Sequence, residues 1–424
     1  MGTTAETGPF GHLAGDLADL QLPTTDAEEW RYSRVADIDP TRFARAPVEP
    51  TPESISTARA TVDDLLGAST QPPSASVIVV DGSVSAAEAA DPVRIDVHAV
   101  HAVHAVQTVQ AEQAVQTDQA EQAEQASSNA FALLNERLCA AQVTVTVDTQ
   151  ARVVAPIVVA SVVTTDGVVV APRVRIELGA NSEATLVEVH RSAGPSDSLV
   201  VPVTEVEVGR DATLRHVLIQ DVSLRSDVVG SVTARVEASG TYDTWIAAIG
   251  GRYARTRVDC QLLGRGAAAR LVSLYAGGGD QMRDLRTFQD HLARDTTSDL
   301  VFKGAVDGRA HAVYTGLIRI HPDARGANAE QSNRIMTLSD DAWAESVPNL
   351  EIENNDVRCA HASTVGPVDA DQRFYLETRG VPTEVAERLI VAGFFDEVLD
   401  RCPVPGIAEA IRPTLAELMS GDRT

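Results

Sequence analysis

The sequence predicts a mainly β protein built as a solenoid, in which short strands stack turn upon turn between helical ends. From about residue 143, Val, Ile, Leu and Thr alternate with polar residues, and Gly, Asn or Asp interrupt the runs. This pattern is typical of short strands joined by turns. Aromatic residues make up only 4% of the chain, so stacked aliphatic side chains must build the core. Such a core suits a solenoid better than a large globular domain.

The clearest repeat joins one strand to a second strand through a turn that contains glycine. Its three copies are residues 174–189, 206–217 and 258–272. They recur at irregular intervals of roughly 30 residues or more, as expected when each coil covers the apolar edge of the previous one. A β-sandwich uses the same short alternating strands and stays open as an alternative.

The chain divides into four predicted segments. Prolines such as Pro47 and Pro72 interrupt short helical patterns near the start, because proline cannot lie inside a helix. The segments are an N-terminal helical module with linkers (1–90), a low-complexity insertion (91–129), the β-solenoid core (130–367) and a C-terminal helical domain (368–424).

The insertion is rich in His, Gln, Ala and Glu. It repeats His-Ala-Val three times from His98, and Gln/Glu/Ala repeats follow as far as Ala126. Histidines three residues apart would meet on one face of a helix and bind a metal there. A solvated repeat that the fold tolerates explains the pattern better.

The C-terminal segment has the spacing of helices. Asp369 with Gln372 three residues later predicts a helix start, and Gly380 predicts its end. A second helix is expected from Thr383, and a third over about residues 407–419. This tail is expected to dock against a partner or against the end of the solenoid.

Charge and cysteine content narrow the function classes. The net charge is −25 with no evident basic patch, which argues against a nucleic-acid partner, and an acidic chain is repelled by anionic membranes. No apolar run approaches the ~20 residues of a membrane span, and no signal peptide is evident. The four cysteines stand far apart, so reduced thiols in a cytoplasmic protein are expected.

Two candidate enzyme motifs are weak. Residues 264–269 match a G-x-G-x-x-A dinucleotide pattern, but strand-like sequence and a glycine run follow, so a solenoid turn is the better interpretation. No G-x-x-x-x-G-K-[ST] motif is present, so the chain is not expected to hydrolyse nucleotides itself. A polar set near Gly304 would make His291 a general base, yet a polar solenoid edge explains it equally well; its members are Gln289, His291, Ser298, Asp299 and Lys303.

Cys359 and His361 form the most informative pair. In a strand, residues i and i+2 point to the same face, so the thiol and the imidazole are expected on one side. A soft thiolate with an imidazole suits iron, copper(I) or zinc. Two ligands are too few for a closed site, so others must come from elsewhere, including another subunit. A buried thiol with a hydrogen-bonded histidine is the alternative.

The sequence around this pair resembles the SufB/SufD family of iron–sulfur cluster assembly proteins. The matching stretches are residues 348–366, 372–380, 302–304, 316–320, 329–334 and 28–32. The Cys-x-His-x-x-Thr-x-Gly run from Cys359 is similar to the SufD pattern, and residues 343–350 lack the cysteine typical of SufB. Ala362 departs from the family, which usually has glycine there.

The resemblance implies a right-handed parallel β-helix with N- and C-terminal helical domains. It implies pairing with a SufB-like subunit through the β-helix ends, and with a SufC-like ATPase through the C-terminal helical domain. The family histidine that matches His361 lies near the SufB interface, where a nascent cluster is thought to form. His361 is therefore the first candidate for an interfacial iron or cluster-site residue, and Cys359 the second.

The expected function is that of a non-catalytic scaffold subunit. The isolated chain is expected to hold no stable cofactor, while iron or a nascent cluster would bind transiently in the complex. A purely structural SufD-like subunit is one alternative. A polysaccharide-active β-helix enzyme is another, although it would need a carboxylate pair on one β-face and such enzymes are usually secreted.

Overall fold

The chain forms a β-solenoid of about eight turns with helices toward both ends, as the sequence predicts. The computed structural model describes residues 13–17, 20–67, 72–99, 130–404 and 406–420. Strands in consecutive turns run parallel, and their register partners lie ~30 residues apart in sequence. This pairing excludes the β-sandwich, whose sheets are antiparallel. The right-handed coil stays a prediction.

Each turn contributes one strand to each of two long sheets, here called sheet A and sheet B. In order along sheet A stand β21 (Trp343–Ile352), β19 (His311–Ile320), β17 (Met282–His291), β15 (Tyr253–Leu262), β13 (Asp227–Val236), β11 (Val203–Val208), β8 (Arg173–Leu178), β5 (Ala141–Val147) and β4 (Val93–Ala99). In order along sheet B stand β22 (Arg358–Pro367), β20 (Asn328–Thr337), β18 (Thr297–Val306), β16 (Ala268–Gly277), β14 (Thr241–Ala248), β12 (Thr213–Asp221), β9 (Glu183–Ser192), β6 (Ile157–Val163), β2 (Ala75–Val80) and β3 (Ser83–Ala89). Three short strands pair beside sheet A: β1 (Ala44–Arg45), β7 (Val168–Val170) and β10 (Leu199–Val200).

Alternation along each strand separates an interior from two outer faces. Leu186 and Ile176, from opposite sheets, lie in one continuous buried cluster that fills the solenoid. Val187, the next residue after Leu186, belongs instead to a cluster between sheet B and the helices. The aliphatic core that the low aromatic content predicts is therefore present, with further apolar layers outside both sheets.

Residues 75–99 differ from their predicted assignment to the helical module and the insertion, because they form strands. β2 runs parallel to β6 and β3 folds back on β2, while β4 pairs antiparallel with β5. These strands pair with the first turn of each sheet. β2 carries an apolar β-branched run at residues 77–80, whereas β3 has a weak local pattern and becomes ordered by its pairing with β2. The rest of the insertion, including His101 and His104, lies outside the described residues.

The helices lie before the solenoid core and after it. They are α1 (Ala14–Leu17), α2 (Pro52–Leu66), α3 (Ala130–Leu138), α4 (Ala370–Glu377), α5 (Thr383–Leu399) and α6 (Ile407–Ser420), with 3-10 helices at Glu28–Trp30, Val35–Asp37 and Pro40–Arg42. The carboxylate of Asp369 caps α4 by accepting from the amides of Asp371 and Gln372. Of the helices in the described part of the chain, none has both the length and the apolar character that crossing a bilayer requires.

The C-terminal helices pack on the outer face of sheet B. The Trp245 indole on β14 donates to the carbonyl of Val398 at 2.8 Å. The Lys303 ammonium on β18 donates to the carbonyl of Phe394 at the same distance. The tail therefore docks along the side of the solenoid and not only at its end.

The N-terminal stretch of residues 28–32 packs on the outer face of sheet A. The Arg255 guanidinium lies 3.7 Å from the centre of the Trp30 ring. Arg257 donates to the Glu29 carboxylate at 2.7 Å, and Arg286 donates to the Arg31 carbonyl at 3.1 Å. Residues 28–32, one of the stretches that resemble the family, therefore hold the N-terminal segment against sheet A.

Candidate functional site

Cys359 and His361 lie on β22, the strand that ends sheet B. Their register partners on β20 are Ala329 and Gln331, both buried inside the solenoid. Since parallel strands in register place side chains in columns, Cys359 and His361 continue two interior columns into the last turn. Among the described residues, no further turn covers them. The pair therefore lies at the open end of the solenoid.

The two side chains share one face, which confirms the expectation from their spacing. They lie two positions apart on an extended strand, or ~6.6 Å along the backbone. The thiol of Cys359 is half-buried, while the imidazole of His361 is exposed. Ala362 stands between His361 and Ser363 in ordinary strand pairing with Ser332, so alanine fits where the family usually has glycine.

Burial is the cause of a raised pKa at every cysteine thiol. It raises the pKa of Cys139 and Cys402 to about 11 and that of Cys260 to about 12. The pKa of Cys359 is also raised by burial. The Cys359 thiol is thus protonated near neutral pH, and a metal ion that binds there must displace its proton.

Polar side chains occupy the interior just below the open end. The Tyr275 hydroxyl donates to the side-chain carbonyl oxygen of Asn333 at 2.8 Å, and the side-chain amide of Asn333 donates to the Ser346 hydroxyl at 3.0 Å. Ser363 then donates to the Ser346 hydroxyl at 2.6 Å, joining β22 to β21 across the interior. Gln331, beside His361, is buried and its Oε1 has no hydrogen-bond partner among the described residues.

A glycine makes room for this polar group of side chains. A Cβ at Gly316 would lie 2.5 Å from both the Tyr314 hydroxyl and the Gln331 Nε2. That distance is shorter than any normal contact, so a side chain at position 316 would displace one of these groups. The arrangement beside His361 therefore depends on β19 carrying glycine at this point.

The polar set near Gly304 is not a solenoid edge, and that interpretation is wrong. His291 is fully buried in the interior, with Thr296 and Ser298 at 2.8 and 2.9 Å from its ring nitrogens. Burial lowers the pKa of His291 to about 4. Lys303 points to the opposite face of sheet B, under α5. The structure therefore keeps His291 and Ser298 together in the buried interior but places Lys303 on the other face of sheet B, so the set does not form a general-base site.

A second surface, which the sequence did not single out as a site, lies on α4 and α5. Phe374, Tyr375 and Leu389 are 66%, 55% and 53% exposed. Tyr375 and Leu389 border a groove between these helices and the outer face of β20 and β22, lined in part by Arg334 and Thr364. Two adjacent aromatic residues on a short helix with no buried residue are the signal that reveals it.

Within the described ranges, no cluster of three or more His, Cys, Asp or Glu side chains is suited to hold a metal ion. Cys359 and His361 thus offer two ligands at most. A thiolate and an imidazole match the preferences of iron, but a complete coordination sphere needs groups from outside this part of the chain.

Comparisons with known proteins identify relatives of the chain. The family model described as "SUF system FeS cluster assembly, SufBD core domain" matches residues 161–394. An iron–sulfur cluster assembly SufBD family protein of Mycobacterium tuberculosis is 32% identical over 63% of this chain and 68% of its own length. The iron–sulfur cluster assembly protein SufD of Bacillus subtilis is 29% identical over 54% and 53%, respectively. The chloroplastic protein ABCI7 of Arabidopsis thaliana is 30% identical over 50% and 45%.

Proposed function

Because the chain belongs to the SufB/SufD family of the SUF iron–sulfur cluster assembly system, we propose that it is a SufD-like scaffold subunit of a SufBCD-type complex. It catalyses no reaction of its own in this proposal, and ATP is hydrolysed by a partner subunit. Its contribution is to iron acquisition and to an interfacial site where the cluster is built. A cytoplasmic location remains a prediction.

The observation that carries the proposal is the position of His361. Its exposed imidazole stands at the open end of the solenoid, on the same face as the Cys359 thiol. Iron, or a nascent cluster, is cargo at this site and not a resident cofactor. His361 binds it through a neutral ring nitrogen, and partner residues supply the remaining ligands.

Cys359 has a secondary role in the proposed site. Burial keeps its thiol protonated near neutral pH, so the thiol does not bind iron before a positive charge approaches. A metal ion held first by His361 lowers the thiol pKa and favours release of its proton. His361 therefore binds the metal ion first, and the Cys359 sulfur becomes a second ligand once the thiol has lost its proton.

Two surfaces are assigned to partners. The open solenoid end, with the outer edges of β21 and β22, is assigned to a SufB-like subunit. The exposed apolar surface of Phe374, Tyr375 and Leu389 is assigned to a SufC-like ATPase, because exposed aromatic residues beside a groove are typical of protein interfaces. The Lys303 and Trp245 contacts attach the helical domain to the outer face of sheet B.

Reconstitution with both partners tests the site. Cluster yield and iron content per complex are measured for the wild type, His361→Ala and Cys359→Ala. Glu330→Ala is the matched control, since Glu330 is an exposed residue on the outer face of the neighbouring strand β20. We expect His361→Ala to lose most of the yield, Cys359→Ala to lose less and Glu330→Ala to match the wild type. An unchanged yield for His361→Ala would overturn the site.

A purely structural SufD-like subunit is the second candidate. It is favoured by the incomplete ligand set of the described residues and by the raised pKa of Cys359. Iron bound by the assembled complex separates the two candidates, because a structural subunit predicts equal iron binding by the wild type and both variants. Family membership gives no support to a polysaccharide-active enzyme.

A further inference from the structure

We infer that Gln331 is a positioning residue for His361: its side-chain carbonyl accepts a hydrogen bond from one ring nitrogen of His361 while the other ring nitrogen binds iron. This inference rests on the proposed function and deepens it. Gln331 does not touch the iron in this arrangement and acts only through the imidazole.

Gln331 lies directly beneath His361 in the same interior column. The two residues are register partners on β20 and β22, and neighbouring strands lie ~4.8 Å apart. On its other side Gln331 pairs with Leu300 of β18, whose side chain has no hydrogen-bonding group. Of the two neighbours in the column, His361 is therefore the one whose side chain can donate a hydrogen bond to Gln331.

The side-chain carbonyl of Gln331 is a buried acceptor without a donor. Gln331 is 3% exposed, and its Oε1 has no hydrogen-bond partner among the described residues. Most buried polar atoms in proteins are hydrogen-bonded, so such an atom needs an explanation. The amide lies against Gly316, where the nearby Tyr314 hydroxyl is already hydrogen-bonded to Thr287 at 2.8 Å. The missing donor must therefore come from another group.

The other buried histidines of the solenoid interior show what His361 lacks. His190 and His216 lie 3.1 and 3.0 Å from the Glu188 carboxylate, and the ring of His291 is hydrogen-bonded to two hydroxyl groups. Each of these rings is thus held by a neighbouring side chain. The His361 ring has no hydrogen-bond partner within the described ranges. A ring without an acceptor therefore stands beside an acceptor without a donor.

Metal binding supplies the reason for the two groups to meet. A histidine that binds a metal ion through one nitrogen usually donates the N–H of the other to an acceptor, which fixes the tautomer and the orientation of the ring. An amide carbonyl accepts this N–H without adding charge to the interior. Because the strands lie ~4.8 Å apart, a turn of the exposed His361 ring about its side-chain bonds spans the gap. Gln331 therefore selects which ring nitrogen faces the iron.

Ferrous iron binding by the purified complex tests this role. The affinity is measured under argon by competition with a chelator, for the wild type and for variants whose fold is verified by circular dichroism. Gln331→Leu keeps the bulk of the side chain and removes its carbonyl, so we expect the affinity to fall by about 10-fold or more. Gln331→Glu keeps an acceptor oxygen and should stay within about 3-fold of the wild type.

Gln289→Leu is the matched control. Gln289 is also a buried interior glutamine, and neither its Oε1 nor its Nε2 has a partner among the described residues. Its register partners are Cys260 and Ile318, so no imidazole lies beside it in the column. We expect Gln289→Leu to bind iron as the wild type does. An equal loss of affinity in both leucine variants would overturn the inference, because it would show a general effect on the interior.

Proton NMR of the complex loaded with ferrous iron gives a second readout. Unpaired electrons of the iron shift the N–H resonance of the His361 ring out of the protein spectrum, and its loss in His361→Ala assigns it. We expect this proton to exchange with deuterated water about 10-fold or more faster in Gln331→Leu than in the wild type. Unchanged exchange would contradict the hydrogen bond. If Gln331→Leu does not fold, the wild type decides: a persistent signal supports the inference and an absent one overturns it.

The outcomes separate this inference from the proposed function. If the wild-type complex binds no iron, or His361→Ala binds it equally well, the proposed site and the inference both fail. If His361→Ala weakens iron binding and Gln331→Leu does not, the site stands and the role of Gln331 fails.

Discussion

The Lys303 ammonium lies 2.5 Å from the Glu397 carboxylate, linking β18 of the solenoid to α5 of the helical domain. The Lys303 side chain is only 7% exposed, whereas that of Glu397 is 46% exposed. The same ammonium also donates to the Phe394 carbonyl and lies 4.6 Å from the centre of the Phe394 ring. The hydrogen bond from Lys303 is the main reason that the pKa of Glu397 is lowered.

Replacement of Lys303 by methionine is expected to loosen the helical domain. Lys303→Met keeps the length of the side chain but leaves the Phe394 carbonyl without its donor, so the free energy of unfolding should fall by about 1–3 kcal/mol. Glu397→Gln should cost less, about 1 kcal/mol or below, because the carboxylate is partly solvated. Urea unfolding measures both. A larger effect for Glu397→Gln would contradict this view of the contact.

A side chain at Gly304 is expected to disrupt the interior. A Cβ there would lie 2.1 Å from the ring of Tyr275, which is buried and hydrogen-bonded to Asn333. Gly304→Ala should therefore destabilise the protein by about 1–3 kcal/mol or more. Gly366→Ala is the control, since a Cβ at Gly366 has nothing within 4 Å. Equal unfolding midpoints for the two variants would show that the Tyr275 ring is free to move aside.

The stability of the fold is expected to fall with acid through His291. Burial lowers its pKa from 6.5 to about 4 in the folded chain. Above pH 6.5 neither state binds the proton. As the pH falls from about 6.5 to about 4, the unfolded chain gains a proton that the folded chain excludes, which costs up to about 3 kcal/mol. His291→Gln should flatten this part of the stability curve, measured by urea unfolding between pH 8 and pH 4. If the free energy of unfolding of His291→Gln falls with pH in parallel with that of the wild type, His291 is not the group responsible.

Thiol labelling is expected to single out Cys359. Burial raises the pKa of Cys139 and Cys402 to about 11 and that of Cys260 to about 12. Cys359 and Cys402 are both half-buried, whereas Cys139 and Cys260 are buried, and Cys359 lies at the open end of the solenoid. Iodoacetamide at pH 8 should modify Cys359 first and Cys402 more slowly, and peptide mapping should find Cys139 and Cys260 labelled only in urea. Assembly with the SufB-like partner should slow the labelling of Cys359, and faster labelling of Cys260 would contradict the fold.

Much of the fold follows from local pattern. The strand–turn–strand repeat predicts the solenoid because period-two alternation with glycine turns leaves few other arrangements. Asp369 and Thr383 mark their helices because a cap or a start is a local event. The sequence pattern does not predict β3, since this strand is largely exposed and becomes ordered by pairing with β2. Its sequence alone has too few apolar residues to predict a strand.

The candidate site also has features that the sequence determines and others that only the tertiary structure determines. The C-x-H spacing by itself determined that Cys359 and His361 share a face, because alternation depends only on an extended backbone. Other parts of the sequence determined the strand–turn–strand repeat, the aliphatic core and the family resemblance. The tertiary structure decided which face is interior, since a shift of one residue in register would reverse it. The tertiary structure alone also decided that β21 and β22 end the two sheets, because only the pairing of the described strands shows which strand lacks a neighbour on one side.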